Sequence, residues 1–288
     1  MALKLLKEEK RTQSQHYEEH VRNMRQNVAT EKMDPLNSAL GKVRVDRTLL
    51  LLKDVPSLQG NSLLDLGCGS GYLAFLMAEK GAHVTAVDVV NKICHFHDHV
   101  TFQQACIPYL KLPDAAFDGV LLTDVLAEIE PSLYRLTLSE LARLVKPAGW
   151  VLFSTPLDLA SLDAKEKFLQ LIATEFDICG ISESYHRLYF FLLNLLKAPF
   201  RFVRASREAA YRLRHLTKRS GIFRIGFYFN SSRSCSWFWK PLLLLFLPLL
   251  NRLQQSRGLL LFLERLSEIV CGSTALTHLI VLAQKKKL

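Results

Sequence analysis

The chain has 288 residues, 49% of them hydrophobic, with a formal net charge of +10 and a sequence pI ≈ 9.4. Six cysteines without paired spacing (Cys68, Cys94, Cys106, Cys179, Cys235, Cys271) argue against a disulfide framework and for reduced thiols in a cytoplasmic setting. MALKLLKEEKRTQSQ lacks the apolar core of a signal peptide, and no run reaches the roughly 18 apolar residues of a spanning helix, so the charge points to an anionic partner: nucleic acid or a membrane surface.

Met1–Leu40 reads as polar and helical, with a break at Asp34–Pro35. Val43–Leu52, carrying Arg44 and Arg47, reads as a helix leading through a loop at Pro56–Asn61 into the first strand. Leu63, Leu64 and Leu66 around Asp65 form a buried strand pattern. Gly67, Gly69 and Gly71 follow, letting the backbone turn sharply and approach a ligand where a Cβ would clash. The helix Tyr72–Lys80, stopped by Gly81, aims its unpaired N–H groups at that turn. A second apolar run, His83–Val87, ends in Asp88, where a ribose diol is gripped. Strand, glycine turn, helix, strand and acid together make a nucleoside site.

Between Asp88 and Val100 there is room only for a clipped helix. Its Cys94-His95-Phe96-His97-Asp98-His99 cluster reads either as a metal site of three alternate histidines or as a polar edge loop. No complete ligand signature is present, so no bound metal is expected. Val100–Cys106 reads as the third strand and Phe117–Leu122 as the fourth, running into Thr123-Asp124-Val125-Leu126-Ala127-Glu128. Side chains at the carboxyl end of such a strand face the ligand crevice. Asp124 and Glu128 are therefore candidates for orienting a substrate or accepting a proton, though Glu128 reads equally well as a solvated acid. Ser139–Val145 reads as a helix, Trp150–Ser154 as the fifth strand, Ala164–Thr174 as a helix, Phe176–Ser182 as the sixth strand and Thr277–Ala283 as the seventh.

About 90 residues, Glu183–Gly272, separate the last two strands. They open on Tyr185-His186-Arg187-Leu188 and continue through a basic, aromatic stretch from Lys197 to Tyr228. Trp237-Phe238-Trp239-Lys240-Pro241 then leads into LLLLFLPLLNRL. A short apolar block with tryptophan at its edge and cations beside it suits a helix lying in a bilayer interface. The alternative is a helical lid whose leucines pack on the core.

The spacing D-x-G-x-G-x-G over Asp65–Gly71, the later Asp88, FDGVLL from Phe117 and LVKPAGWVLFSTP ending at Pro156 resemble the class I S-adenosylmethionine-dependent methyltransferases of the methyltransferase-11 type. The resemblance extends more loosely to quinone-biosynthesis O-methyltransferases. It implies an α/β fold, a Rossmann-like doubly wound seven-stranded sheet. The implied parts are an N-terminal helical cap (1–42), an S-adenosylmethionine-binding domain (43–182), a helical lid or membrane-contact insertion (183–272), and the last strand with a basic tail (273–288). Tyr17 and His20 of the cap would face the cofactor or a solvated helix surface. The implied cofactor is S-adenosyl-L-methionine, held by Asp65, Gly67, Cys68, Gly69, Gly71, Asp88, Val89, Cys106 and Thr123. Cys106 stands where similar enzymes place an acid for the adenine amino group. A thiol is a poor acceptor, so the Ala105–Ile107 backbone is the expected contact.

The methyl group of that cofactor is already activated; the protein must align the nucleophile and exclude water. A base helps when the nucleophile is a hydroxyl of high pKa. Asp124, Glu128, Tyr185 and His186 are the candidates. The expected activity is methyl transfer, O-methylation favoured, to a small lipophilic acceptor by a cytoplasmic protein that meets an anionic membrane through residues 197–253. A nucleic-acid methyltransferase is the second reading, favoured by charge and opposed by the lack of an Asn/Asp-Pro-Pro-Tyr run or a Pro-Cys pair. A non-catalytic, membrane-associated scaffold with the same fold is the third.

Overall fold

The computed structural model describes residues 34–55, 57–157, 163–198 and 248–286. Tyr17 and His20, and the stretch that carries Trp237, Phe238 and Trp239, lie outside them.

Seven strands form one sheet in the order β3-β2-β1-β4-β5-β7-β6. They are β1 (Ser62–Leu66), β2 (His83–Asp88), β3 (Val100–Gln104), β4 (Phe117–Thr123), β5 (Val145–Pro156), β6 (Phe176–Ser184) and β7 (His278–Lys285). The first five run parallel, and β7 lies antiparallel between β5 and β6. The chain order reverses at β1, whose neighbours are β2 and β4, so the ligand crevice belongs at the carboxyl ends of these strands. The helices α1 (Ala39–Leu51), α2 (Tyr72–Glu79), α3 (Tyr134–Leu144) and α4 (Ala164–Ile172) accompany the sheet.

The central strands are buried on both faces, which explains the nearly unbroken apolar runs of β1, β4 and β5. One core gathers Leu64, Leu66, Val120, Leu122, Phe153 and Phe176. The other gathers Leu63, Met77, Val84, Leu121, Trp150 and Leu152. Consecutive residues of a strand thus serve opposite layers. Gly119 of β4 lets Trp150 close over the strand: a Cβ there would come within 2.1 Å of the indole. Gly119→Ala should destabilise the fold by about 1–3 kcal/mol through overpacking. Chemical denaturation would read this as a lower midpoint at unchanged slope.

The structure corrects several expected boundaries. No helix forms between Asp88 and Val100; residues 89–99 are loop. The third strand stops at Gln104, which leaves Cys106 beyond it. The α3 helix starts at Tyr134 rather than Ser139. The fifth strand begins at Val145 because Val145 pairs with Phe117, and the Lys146–Gly149 turn is a register shift inside it. Ala148, in the left-handed region at φ 63°, makes that irregularity.

Ser38–Leu40 and the described residues between Tyr185 and Ala275 belong to a second compact unit. Its described part holds helical residues 187–198 and 248–255 and the helix α5 (Arg257–Cys271). Ser256 caps α5 by accepting the Leu259 N–H at 3.2 Å. The α5 helix buries two polar side chains for a stated purpose. Glu264 accepts the Tyr185 N–H at 3.0 Å and Ser267 accepts the Leu188 N–H at 3.0 Å, satisfying amides at the start of the 187–198 helix. Among the described residues no helix is long and apolar enough to cross a membrane.

Candidate active site

The glycine turn joins β1 to α2. Gly67, Gly69 and Gly71 all have left-handed φ, at 72°, 53° and 77°. The three glycines serve different neighbours. A Cβ on Gly67 would strike Val125 at 2.2 Å, and one on Gly71 would press on Ile93 at 3.1 Å. A Cβ on Gly69 would meet no protein atom within 4 Å, so it would enter the open side of the turn. Gly67 and Cys68 donate their N–H groups to the Val87 carbonyl at 2.7 and 3.1 Å, which ties the turn to the end of β2.

Asp88 stands at that end. Its Oδ2 accepts the Gly69 N–H at 2.9 Å and its Oδ1 accepts the Val90 N–H at 3.2 Å. The acid therefore shapes the turn. Asp65 is 1% exposed, and neither carboxylate oxygen finds a hydrogen-bond partner. Burial pushes its pKa up to about 7, and the charge of Asp88 pushes the same way, against a weaker pull from the Ala74 amide, which falls short of hydrogen-bond geometry. A buried carboxyl left in this state fits a cationic group arriving from a ligand. Burial, with Asp65 and Asp88 adding, also raises the Cys68 thiol. Cys106 is buried, and burial followed by the charge of Asp88 pushes its thiol up to about 11, so it stays a neutral SH and a poor acceptor. Val89 is buried and its carbonyl accepts Gln104 Nε2 at 2.8 Å; Thr123 closes β4 opposite Ser154.

A second group of polar side chains gathers beyond β4. Asp124 takes φ 58°, in the left-handed region unusual for a non-glycine residue. Its N–H donates to the Ser154 carbonyl at 2.9 Å, and Val125, the next residue, abuts Gly67. Asp124 thereby sits at the rim of the glycine turn. Its Oδ2 pairs with Arg44 at 2.8 Å, and its Oδ1 accepts from Ser154 Oγ at 3.0 Å and from His278 Nε2 at 2.7 Å. Burial opposes its charge, but the His278 bond, the Arg44 charge and the Ser154 bond outweigh it and hold its pKa at about 2. Asp124 is thus a fixed anion and not itself a base near neutral pH. His278 is 0% exposed, and burial keeps its imidazole below the ordinary histidine value despite Asp124. The ring is then neutral, with the proton on Nε2 facing Asp124 and the lone pair on Nδ1. That Nδ1 is buried without a hydrogen-bond partner.

The other candidates fall elsewhere. Glu128 ends a single 3-10 turn and is exposed. Tyr185 and His186 belong to the second unit, where His186 is 0% exposed, 3.8 Å from Glu264 and packed edge-on against Tyr189 and Phe190. The three alternate histidines do not converge. His95 bonds Asp34, His97 lies 3.4 Å from Glu79, and His99 stacks on His83 at 4.6 Å. Arg44, Ser154 and His278 escaped the sequence reading as site residues. The one signal for His278 was its place at the start of an expected strand.

A family of methyltransferase domains matches residues 36–189, more than half of the chain. The ubiquinone biosynthesis O-methyltransferase of Paracidovorax citrulli is 34% identical over 140 residues, 45% of this chain and 56% of that protein. The same-named protein of Chromobacterium violaceum is 30% identical over 171 residues, 56% of this chain and 68% of that protein. The chain thus spans little more than half to two thirds of these relatives. Among solved structures, a putative S-adenosylmethionine dependent methyltransferase from Listeria monocytogenes is 13% identical, with 85% of this chain and 100% of that chain covered at a TM-score of 0.49.

Proposed function

The chain belongs to the methyltransferase domain family, and on that premise we propose that it moves a methyl group from S-adenosylmethionine to a hydroxyl of a small lipophilic acceptor at a membrane surface. One observation carries the reading: a neutral histidine with an unpartnered nitrogen, tied to a fixed anion at the rim of the glycine turn.

The cofactor supplies an electrophilic methyl on a sulfonium. Asp65, the Gly67–Gly71 turn and Asp88 are the residues that would hold it. Their fit rests on the orphaned Asp65 carboxylate and on the open face above Gly69. Asp124 keeps the His278 proton on Nε2, so the Nδ1 lone pair is left to accept the substrate's hydroxyl proton once substrate binding moves aside the groups that bury the ring. Arg44 and Ser154 hold Asp124 in place and add to its stability as an anion. The buried surroundings limit water at the site.

The Asp65 carboxyl gives a test of cofactor binding. With its pKa raised to about 7 it is partly protonated at neutral pH in the free protein. A ligand ammonium group beside it would favour the charged form, so binding of S-adenosylhomocysteine should release protons and tighten as pH rises through 7. Calorimetry in buffers of different ionisation enthalpy measures that release. In the free protein the raised pKa costs stability above the unfolded carboxyl value, increasingly up to about pH 7. Asp65→Asn should therefore raise the unfolding midpoint at pH 8 while weakening the ligand. A lower midpoint together with proton-neutral binding would remove Asp65 from the site.

The lipophilic acceptor and the membrane draw support from two features. The relatives named above act, by name, in ubiquinone biosynthesis. The α5 helix, in addition, turns Phe262, Ile269 and Val270 outward, at 62%, 81% and 65% exposure. The basic and tryptophan-bearing residues 197–253 would add charge attraction to anionic lipid, about 1 kcal/mol per cation at the surface. In liposome flotation, replacing Trp237, Phe238 and Trp239 by Ala should release the protein without changing cofactor affinity. Wild-type protein that stays in the aqueous fraction at every lipid composition, and binds RNA instead, would move the basic stretch to nucleic acid.

A further inference from the structure

Beside the glycine turn lies a group of side chains that methyl transfer does not use. Asp34 meets the 89–99 loop at Cys94 and His95. His95 Nε2 is 2.7 Å from Asp34 Oδ2, and Cys94 Sγ is 3.9 Å from the same oxygen. One donor atom from each of the three lies within 4.8 Å of the others. The surroundings hold all three in place. The Cys94 and His95 N–H groups donate to the Ser70 carbonyl at 3.0 and 3.3 Å. The Leu36 N–H holds the other oxygen of Asp34 at 2.9 Å, and the Tyr72 ring lies 4.9 Å from the imidazole. Burial works against the Asp34 charge, but the Leu36 amide and His95 outweigh it and hold the carboxyl below its usual range.

We propose that Asp34, Cys94 and His95 bind one zinc-class divalent cation, with water in the fourth position. A thiolate, an imidazole and a carboxylate form a donor set suited to a borderline-soft ion. Metal–donor bonds of about 2.0–2.3 Å in a tetrahedron separate donors by roughly 3.3–3.7 Å. The His95–Asp34 pair, at 2.7 Å, has to open by roughly 0.6–1 Å to reach that range, and the Cys94–Asp34 distance, at 3.9 Å, has to shrink by roughly 0.2–0.6 Å. On binding, the Cys94 thiol proton leaves to solvent and the imidazole proton moves from Nε2 to Nδ1, freeing Nε2 as the ligand. Affinity therefore rises with pH. The expectation of no metal rested on His95, His97 and His99 as a set, and only His95 belongs to this one. The ion would tie Asp34 to the loop whose Ile93 rests on Gly71.

Cobalt(II) reports on the site without reference to activity. The full chain, purified without a histidine tag and stripped by chelator, should take up one equivalent and develop a thiolate-to-cobalt charge-transfer band that zinc abolishes. Cys94→Ser should remove the band, and since Cys94 is exposed it should keep the thermal midpoint of the metal-free protein. His95→Ala should weaken uptake at least tenfold, while His97→Ala and His99→Ala should leave it unchanged. No band in the wild type, or a band that survives in Cys94→Ser, overturns the site.

Discussion

His278→Gln is expected to lower kcat for methyl transfer by about 10²–10⁴-fold, the usual worth of a positioned general base. Glutamine keeps an N–H for Asp124 but offers no nitrogen that titrates, so the loss should come with little change in stability or in S-adenosylhomocysteine affinity. The pH profile is the sharper readout. Because burial lowers the His278 pKa, wild-type kcat should hold through neutral pH and fall on the acid side below the ordinary histidine value, as Nδ1 becomes protonated. That acid limb should vanish in His278→Gln. Asp124→Asn should also slow turnover, because it removes the anion that fixes the tautomer. A pH profile identical in wild type and His278→Gln would show that His278 takes no proton.

The second large effect belongs to the turn. Gly69→Val should abolish S-adenosylhomocysteine binding for two reasons. Valine at φ 53° is a steric outlier, and its branches would enter the open side of the turn. Asp88→Ala should cost about 1.5–3 kcal/mol, the worth of hydrogen bonds to a charged group, or roughly ten- to hundredfold in affinity. Part of that loss would come from the protein itself, since Asp88 also holds the Gly69 amide. Unchanged affinity in both variants would remove the turn from the cofactor site.

The turn was legible because all its parts are local. Asp65, three glycines and Asp88 lie within 24 residues of sequence, and each strand boundary there follows from an apolar run. The Asp124 group was only half legible. The end of β4 marked Asp124, but its partner His278 lies 154 positions away. What joins them is the antiparallel register that sets Pro156 opposite His278, and register between distant strands is not written in either strand's pattern. The left-handed backbone of Asp124 is equally hidden, since even aspartate adopts it in only a small minority of positions and nothing in the local sequence marks this one. His186 misled for the converse reason. Its sequence neighbourhood looks like a site, yet its ring is buried among Tyr189, Phe190 and Glu264 in the second unit. The metal trio was hidden in the same way as His278, because Asp34 reaches Cys94 and His95 from 60 residues upstream.

The central claim is methyl transfer to a lipophilic hydroxyl, and incubation with methyl-labelled S-adenosylmethionine tests it most directly. Wild-type protein, His278→Gln and Gly69→Val would each be given separate lipid, polar small-molecule and RNA extracts. The account predicts label in the lipid fraction with wild type, strongly reduced with His278→Gln and absent with Gly69→Val. Label in RNA, or a protein that binds S-adenosylhomocysteine tightly and labels no fraction, would contradict it.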